Sequence, residues 1–343
     1  MYATPIRPLC ALAQALLVRL LRGVVGDIVG EEDGDEINID VPPFRAGGIV
    51  APPELEASVI SLRGKADALA ASLPKSDAYS SLIAFIDPID GTKEFCTGKG
   101  QQCSICLGVA DLASGAAVGG LVYRPLCPER SYALGCKREG VAAAALRPPA
   151  SPGYSSVEDG ATAGTGAFLG SNSGMSSFLQ SLREEMGYEV RAAGGAGNKA
   201  LLVLEEPSAC YIQDRGLCRW DTCAAQGVLE AHGGVMVKLH PLIFGDAASA
   251  PRLEPYHYLA ADHPDDFVEG ATRLTKYNAA AGMLTDADAA KGAPPKFAQT
   301  MEQLKPHKNG LGLFALRSAE PEAIEAARAA IHRAAAKHTP AFD

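Results

Sequence analysis

The sequence predicts a mixed α/β protein of the α+β kind, and three observations carry that expectation. Leu12, Leu16, Leu20 and Val24 recur at helical spacing, so the first residues through about Val25 predict an amphipathic helix with one face in the core. The run Leu82-Ile83-Ala84-Phe85-Ile86 is short, wholly apolar and stops at Asp87-Pro88, which predicts a buried strand. The stretches Cys103–Ala110 and Ala117–Tyr123 are joined through Asp111-Leu112-Ala113-Ser114-Gly115, which predicts a β-hairpin.

Between these, a short apolar stretch ends in Gly30-Glu31-Glu32-Asp33. Residues 40–53 carry Pro42, Pro43, Pro52 and Pro53 and predict an irregular excursion. Glu54 to Leu73 predicts a second helix. Residues 144–166 are rich in Ala, Pro, Ser, Gly and Thr without a hydrophobic period, so they predict a loop or hinge between two halves, 1–150 and 151–343. The second half reads as alternating strand and helix: strand Phe168–Gly170, helix Ser176–Met186, strand Ala200–Leu204, helix Ala224–His232. A strand Leu311–Leu316 and an alanine-rich helix from Pro321 to about Ala336 close the chain.

Over 343 residues, hydrophobic side chains make up 47% and charged ones 21%, the balance of a globular protein. A net charge of −9 argues against a nucleic-acid partner, because no basic surplus exists to release counterions. It leaves a small phosphorylated substrate open, since a bound divalent cation reverses the local sign. Of the nine cysteines, only Cys103 and Cys106 are close, and no second CxxC completes a zinc site. Reduced thiols packed as small hydrophobes in a cytoplasmic protein are the expectation. No apolar run approaches the ~20 residues of a membrane span. Leu9 to Val25 is broken by Arg19 and Arg22, so a core-facing helix is the first reading of it and an organelle transit peptide the alternative.

The chemistry concentrates in Asp87-Pro88-Ile89-Asp90-Gly91-Thr92. A buried strand delivers Asp87, and Asp90 stands where the next helix begins. Two crowded carboxylates repel each other unless something positive lies between them. No histidine precedes His232, so a hard, oxygen-seeking cation is the natural partner, magnesium before calcium where a phosphate is bound. The amides of Gly91 and Thr92, at a helix start, suit a phosphate oxygen. Taken alone, Asp90 also reads as a helix cap, Glu31 to Glu36 as a solvated charged loop, and Asp221 as an N-cap ahead of the helix Ala224–His232.

Taken together, Gly30-Glu31-Glu32, Asp87 to Thr92, Gly195-Ala196-Gly197 and Trp220-Asp221 through Gly234 form an order of motifs that resembles the inositol monophosphatase superfamily, over about residues 9–318. That resemblance implies a layered αβαβα sandwich and a lithium-sensitive, magnesium-dependent phosphomonoesterase with two or three ions. It implies Glu31, Glu32, Asp87, the Ile89 carbonyl, Asp90 and Asp221 as metal-site residues, Glu32 acting through water or a further ion. Thr92 and Asp90 are then catalytic, and Asp90, Gly91 and Thr92 hold the phosphate. Ser171, Ser173, Gly195 and Ala196 line the substrate pocket, and Lys199 meets a second phosphate or stays a solvated helix-end lysine.

Two branches are similar to this chain. Gln102 to Val109, Gly120 to Pro125, Gly195 to Lys199 and His307 to Ser318 resemble inositol polyphosphate 1-phosphatases, which act in phosphatidylinositol signalling. Asp90 to Phe95 and Gly194 to Lys199 look equally like 3'(2'),5'-bisphosphate nucleotidases. The first branch is preferred. A catalytically impaired binding relative is the reading of another class, because the family's aspartate that pairs with the motif threonine falls on Cys10, four residues before Gln14. The chain starts nine residues earlier, so the family's N-terminal portion is expected to be truncated here.

Overall fold

A run that is apolar on both faces must be covered on both faces, and the architecture of this computed structural model follows from that requirement. It describes residues 6–32, 38–46, 49–74, 76–138, 141–148, 166–172, 174–206, 208–215, 217–245, 250–259, 308–309 and 312–340. The first half runs α1 (Ile6–Leu21), β1 (Asp27–Gly30), β2 (Arg45–Ala46), β3 (Ile49–Val50), α2 (Pro53–Ser72), α3 (Asp77–Ser80), β4 (Leu82–Asp90) and α4 (Thr92–Cys96). It continues with β5 (Ser104–Asp111), β6 (Ala117–Arg124), β7 (Ser131–Arg138) and β8 (Val141–Arg147). These give a six-stranded sheet of order β1-β4-β5-β6-β7-β8. Only the β1–β4 pair is parallel; the rest is an antiparallel meander.

The second half runs β9 (Ala167–Gly170), α5 (Ser177–Met186), β10 (Glu189–Ala192), α6 (Ala196–Glu205), β11 (Ala209–Gln213), β12 (Leu217–Cys218) and α7 (Arg219–Ala231). Then follow β13 (Val235–Lys238), α8 (His240–Phe244), β14 (Lys308–Asn309), β15 (Leu313–Leu316) and α9 (Pro321–Ala335). Its main sheet has the order β10-β9-β11-β15-β13.

The layering follows from the period of two along a strand. Ala209 and Tyr211 share a core with Ala200 to Leu204 of α6 and with Cys223 to Leu229 of α7. Cys210 and Ile212, on the opposite face, pack with Phe178 and Leu182 of α5 and Ile324 and Ile331 of α9. The α6–α7 layer is also covered by Phe85, Cys106, Val122 and Ala133 of the first sheet. On that sheet's outer side α1 packs on β4 and against α2, with Leu12, Phe44 and Val59 in a smaller core. Helices, sheet, helices, sheet, helices is the expected αβαβα order. Phe85 and Ile86 are fully buried, and such side chains each contribute roughly 1.5–3 kcal/mol.

Several expectations need correction. The Leu82 strand does not stop at Pro88; it runs to Asp90, with its register against β5 shifting between Asp87 and Asp90. Proline lacks an N–H and is accommodated at such an irregularity. Ala200–Leu204 is helical, not a strand: α6 lies between two sheets and is buried on every side, which erases the amphipathic period. The predicted loop 144–166 begins inside β8, and its residues 149–165 lie outside those described. Strands β7, β10, β11 and β13 had no counterpart in the sequence reading. Six of the nine cysteines, Cys103 and Cys106 included, are buried.

Candidate metal centre

The site is assembled where three elements end or begin. Strand β4 carries Asp87, which is 2% exposed and accepts from the Ile89 amide at 3.0 Å. It also carries Asp90, which is 7% exposed. The Asp90 carboxylate accepts from Ser104 Oγ (2.8 Å), the Ala196 amide (3.0 Å) and the Gly197 amide (2.7 Å). Asp221 was expected ahead of its helix, and the structure places it at the third position of α7 instead. There it reaches back to the Cys218 amide at 2.8 Å, as the third residue of a capping box does. Carboxylate oxygens of Asp87, Asp90 and Asp221 all lie within 4.8 Å of one another.

Glu31 arrives by strand register. Gly30 pairs with Ile86 in the parallel β1–β4 ladder, the Glu31 amide donates to the Ile86 carbonyl at 3.1 Å, and the Glu31 side chain hydrogen-bonds Asp87. Glu32 is anchored through its backbone: Gln14 Oε1 accepts its amide at 2.9 Å and Gln14 Nε2 donates to its carbonyl at 2.7 Å. Gln14 is buried, on a helix face where a polar residue needs such a partner.

Burial pushes the Asp87 carboxyl well above the carboxylate range, and the charges of Glu31, Asp90 and Asp221 add to it. Asp221 is raised to about 7, by burial and then by Asp90. Burial raises Asp90 too, against the pull of Ser104, Ala196, Gly197 and Lys199. Acids crowded in this way favour their protonated forms unless a cation joins them. Hard oxygen donors at this spacing fit magnesium, and each carboxylate keeps lone pairs beyond its protein hydrogen bonds.

The expected substrate residues divide. Gly91, at φ +87°, caps α4, and Thr92 is the first residue of that helix. Gly195 and Ala196 form the turn into α6 beside Asp90. Gly195 sits at φ +70°, and a Cβ on Gly197 would come within 2.7 Å of Ser104 Oγ and 2.9 Å of Val122; the turn therefore depends on glycine at both places. Ser171 is exposed just after β9, and Ser173 lies outside the described residues. Lys199 is not a solvated helix-end lysine. It is 6% exposed and its Nζ stands 4.4 Å over the Tyr211 ring. Burial lowers its pKa to about 8 against the opposing charges of Asp90, Glu94 and Asp221.

Sequence reasoning missed the polar frame around these residues. Gln102 Oε1 accepts the Gly194 amide at 2.7 Å and Asn172 Nδ2 at 2.8 Å, and Asn172 Nδ2 also lies 2.8 Å from Glu94 Oε1. Glu94 and Gln102 are buried. The only signal in the sequence was polarity beside apolar runs.

The family profile described as "Inositol monophosphatase family" matches residues 21–268. The mouse 3'(2'),5'-bisphosphate nucleotidase 1 is 29% identical over 164 residues, 46% of this chain and 50% of that protein. Its rat counterpart is 27% identical over 198 residues, 54% and 61% of the two chains. Mouse inositol polyphosphate 1-phosphatase is 27% identical over 194 residues, 49% of each. The matches thus span about half to three-fifths of these relatives' lengths. With the profile covering well over half of its residues, the chain belongs to the inositol monophosphatase family.

Proposed function

We propose that this chain is a magnesium-dependent phosphoric monoester hydrolase that removes the 1-phosphate from inositol polyphosphates such as inositol 1,4-bisphosphate. The observation that carries the reading is the meeting of Asp87, Asp90 and Asp221 oxygens within 4.8 Å in a member of this phosphatase family. Asp87, Asp90, Asp221, Glu31 and the Ile89 carbonyl hold the ions, with Glu32 acting through water. Magnesium bound there supplies an acidified water and charge neutralisation at the phosphoryl oxygens. Thr92 orients the attacking water, and its amide with that of Gly91 receives the phosphate. Ser171, Gly195 and Ala196 line the polyol pocket. Lys199, held over the Tyr211 ring, carries the positive charge that meets a second phosphate. A chelator is expected to abolish phosphate release and millimolar lithium to suppress it; full turnover in chelator would defeat the reading.

A second reading, a nucleotidase acting on adenosine 3',5'-bisphosphate, is favoured by the mouse and rat relatives of that name. The two substrates differ in the body between their phosphates. Adenine needs an apolar or aromatic face, yet Tyr211 and Trp220 are 1% and 4% exposed and the Tyr211 ring already faces Lys199. The expected result is a higher kcat/KM for inositol 1,4-bisphosphate. A tenfold preference for the nucleotide, about 1.4 kcal/mol of transition-state binding, makes the chain a nucleotidase instead.

The acid cluster also sets a stability signature. Asp221 titrates near 7 when folded, against an ordinary value of 3.8, so the folded state binds the extra proton. Its contribution to stability is full below the ordinary value and is lost as pH rises through about 7. Magnesium replaces those protons and restores what is lost. At a hundredfold excess over its Kd it adds about 2.7 kcal/mol, a rise of a few degrees in Tm. The magnesium-induced rise is expected to be larger at pH 8 than at pH 5 by thermal melts; equal rises would mean that the cluster does not hold the ion.

A further inference from the structure

The orientation of Asp90 depends on a turn outside its own sheet. The Ala196 and Gly197 amides that reach its carboxylate, at 3.0 and 2.7 Å, both belong to the first turn of α6. A second, buried network fixes that turn. Asn198 Nδ2 donates to the Gly194 carbonyl at 2.9 Å. Asn198 Oδ1 accepts from Arg124 Nε at 2.8 Å, and Arg124 Nη2 donates to the Asn198 carbonyl at 3.2 Å. Arg124 stands on β6 and is 2% exposed; Asn198 is 3% exposed. The far side of the guanidinium donates to Ser131 Oγ at 3.0 Å and pairs with Glu205, the last residue of α6, at 2.6 Å. One planar fork thus grips both ends of the helix, a geometry that a lysine ammonium cannot reproduce.

We infer that Arg124, acting through Asn198, is a positioning residue for Asp90: it holds the first turn of α6 where the Ala196 and Gly197 amides lock the carboxylate. This rests on the reading of Asp90 as a metal ligand, because groups that orient a ligand typically tune metal affinity by about 10–100-fold. The competing account is that the network merely cements α6 to β6. Glu205 separates the two, since it belongs to the cement but lies at the end of α6 remote from Asp90.

The experiment compares Asn198→Ala, Arg124→Lys and Glu205→Gln with the unaltered chain. It measures magnesium affinity by calorimetry, kcat and KM for phosphate release, Tm, and hydrogen exchange of the metal-free protein across Gly194–Asn198. Asn198→Ala and Arg124→Lys are expected to weaken magnesium binding about 10–100-fold. At limiting magnesium they lower kcat, with substrate KM changed less than about twofold, and they lose exchange protection at Ala196 and Gly197. Glu205→Gln lowers Tm and keeps both the affinity and the protection. A fall in Tm in all three variants with magnesium affinity and exchange unchanged overturns the inference. If the unaltered chain binds no magnesium, the metal reading fails by itself, and exchange then decides the positioning claim: protection kept in Asn198→Ala overturns it, protection lost upholds it. If Asn198→Ala fails to fold, Arg124→Lys against Glu205→Gln gives the same comparison.

Discussion

Asp221→Asn is expected to make the metal-free protein more stable and a far poorer phosphatase. The side chain has two jobs that asparagine splits. As the capping-box acceptor for the Cys218 amide, asparagine still offers a side-chain oxygen. As a charge whose carboxyl is held up near 7 by burial and then by Asp90 and Glu31, it cannot be replaced. Removing a buried charge from like-charged neighbours is expected to stabilise the apo protein by roughly 1 kcal/mol or more, and to abolish most of the magnesium-induced rise in Tm. The loss of a proposed ligand is expected to cost more activity than the roughly 10–100-fold typical of groups that only orient ligands. Thermal melts with and without magnesium, beside kcat at saturating magnesium, test both arms. Unchanged activity with an unchanged Tm would leave Asp221 a helix cap and nothing more.

What the sequence made legible was local. The Leu82 run was readable as a strand because it is apolar and bounded by polar punctuation, and α5 because Ser176 caps it and Gly187 ends it at φ +66°. Ala200 to Leu204 misled because a helix covered on both sides has the same apolar run as a buried strand. Strand β8, Val141–Arg147, was hidden by four consecutive alanines, residues with little strand preference. Its place comes from pairing with β7, which local composition does not encode.

The site divides in the same way. Asp87, Asp90 and Asp221 stood out as carboxylates at element boundaries, and geometry brings their oxygens together. Their supports were silent because each partner is remote in sequence: Gln14 lies 18 residues from Glu32, and Arg124 lies 74 from Asn198. The burial of Lys199 was equally silent. A helix-end lysine reads as solvated until the second sheet, bearing Tyr211, closes over it.

Cys10→Asp is expected to raise kcat by up to about 10²–10⁴-fold, the range of a positioned general base, while leaving KM nearly unchanged. Cys10 is 1% exposed on α1, and burial, then Glu32 and Glu31, push its thiol up to about 12. At neutral pH it is therefore an uncharged thiol that cannot take a proton from the water that the proposed function assigns to Thr92. The family resemblance places an aspartate there. A carboxylate at this buried position faces the same two glutamates, so its own pKa rises and the gain in rate grows toward alkaline pH. The same repulsion is expected to lower Tm in the absence of magnesium, so rate and stability move in opposite directions. Cys10→Asn, similar in size to the aspartate and uncharged, provides the control: it lacks the base and is expected to show no gain. If a folded Cys10→Asp protein is no faster than Cys10→Asn, Cys10 does not occupy the base position, and the activation of water depends on a group other than the one at residue 10.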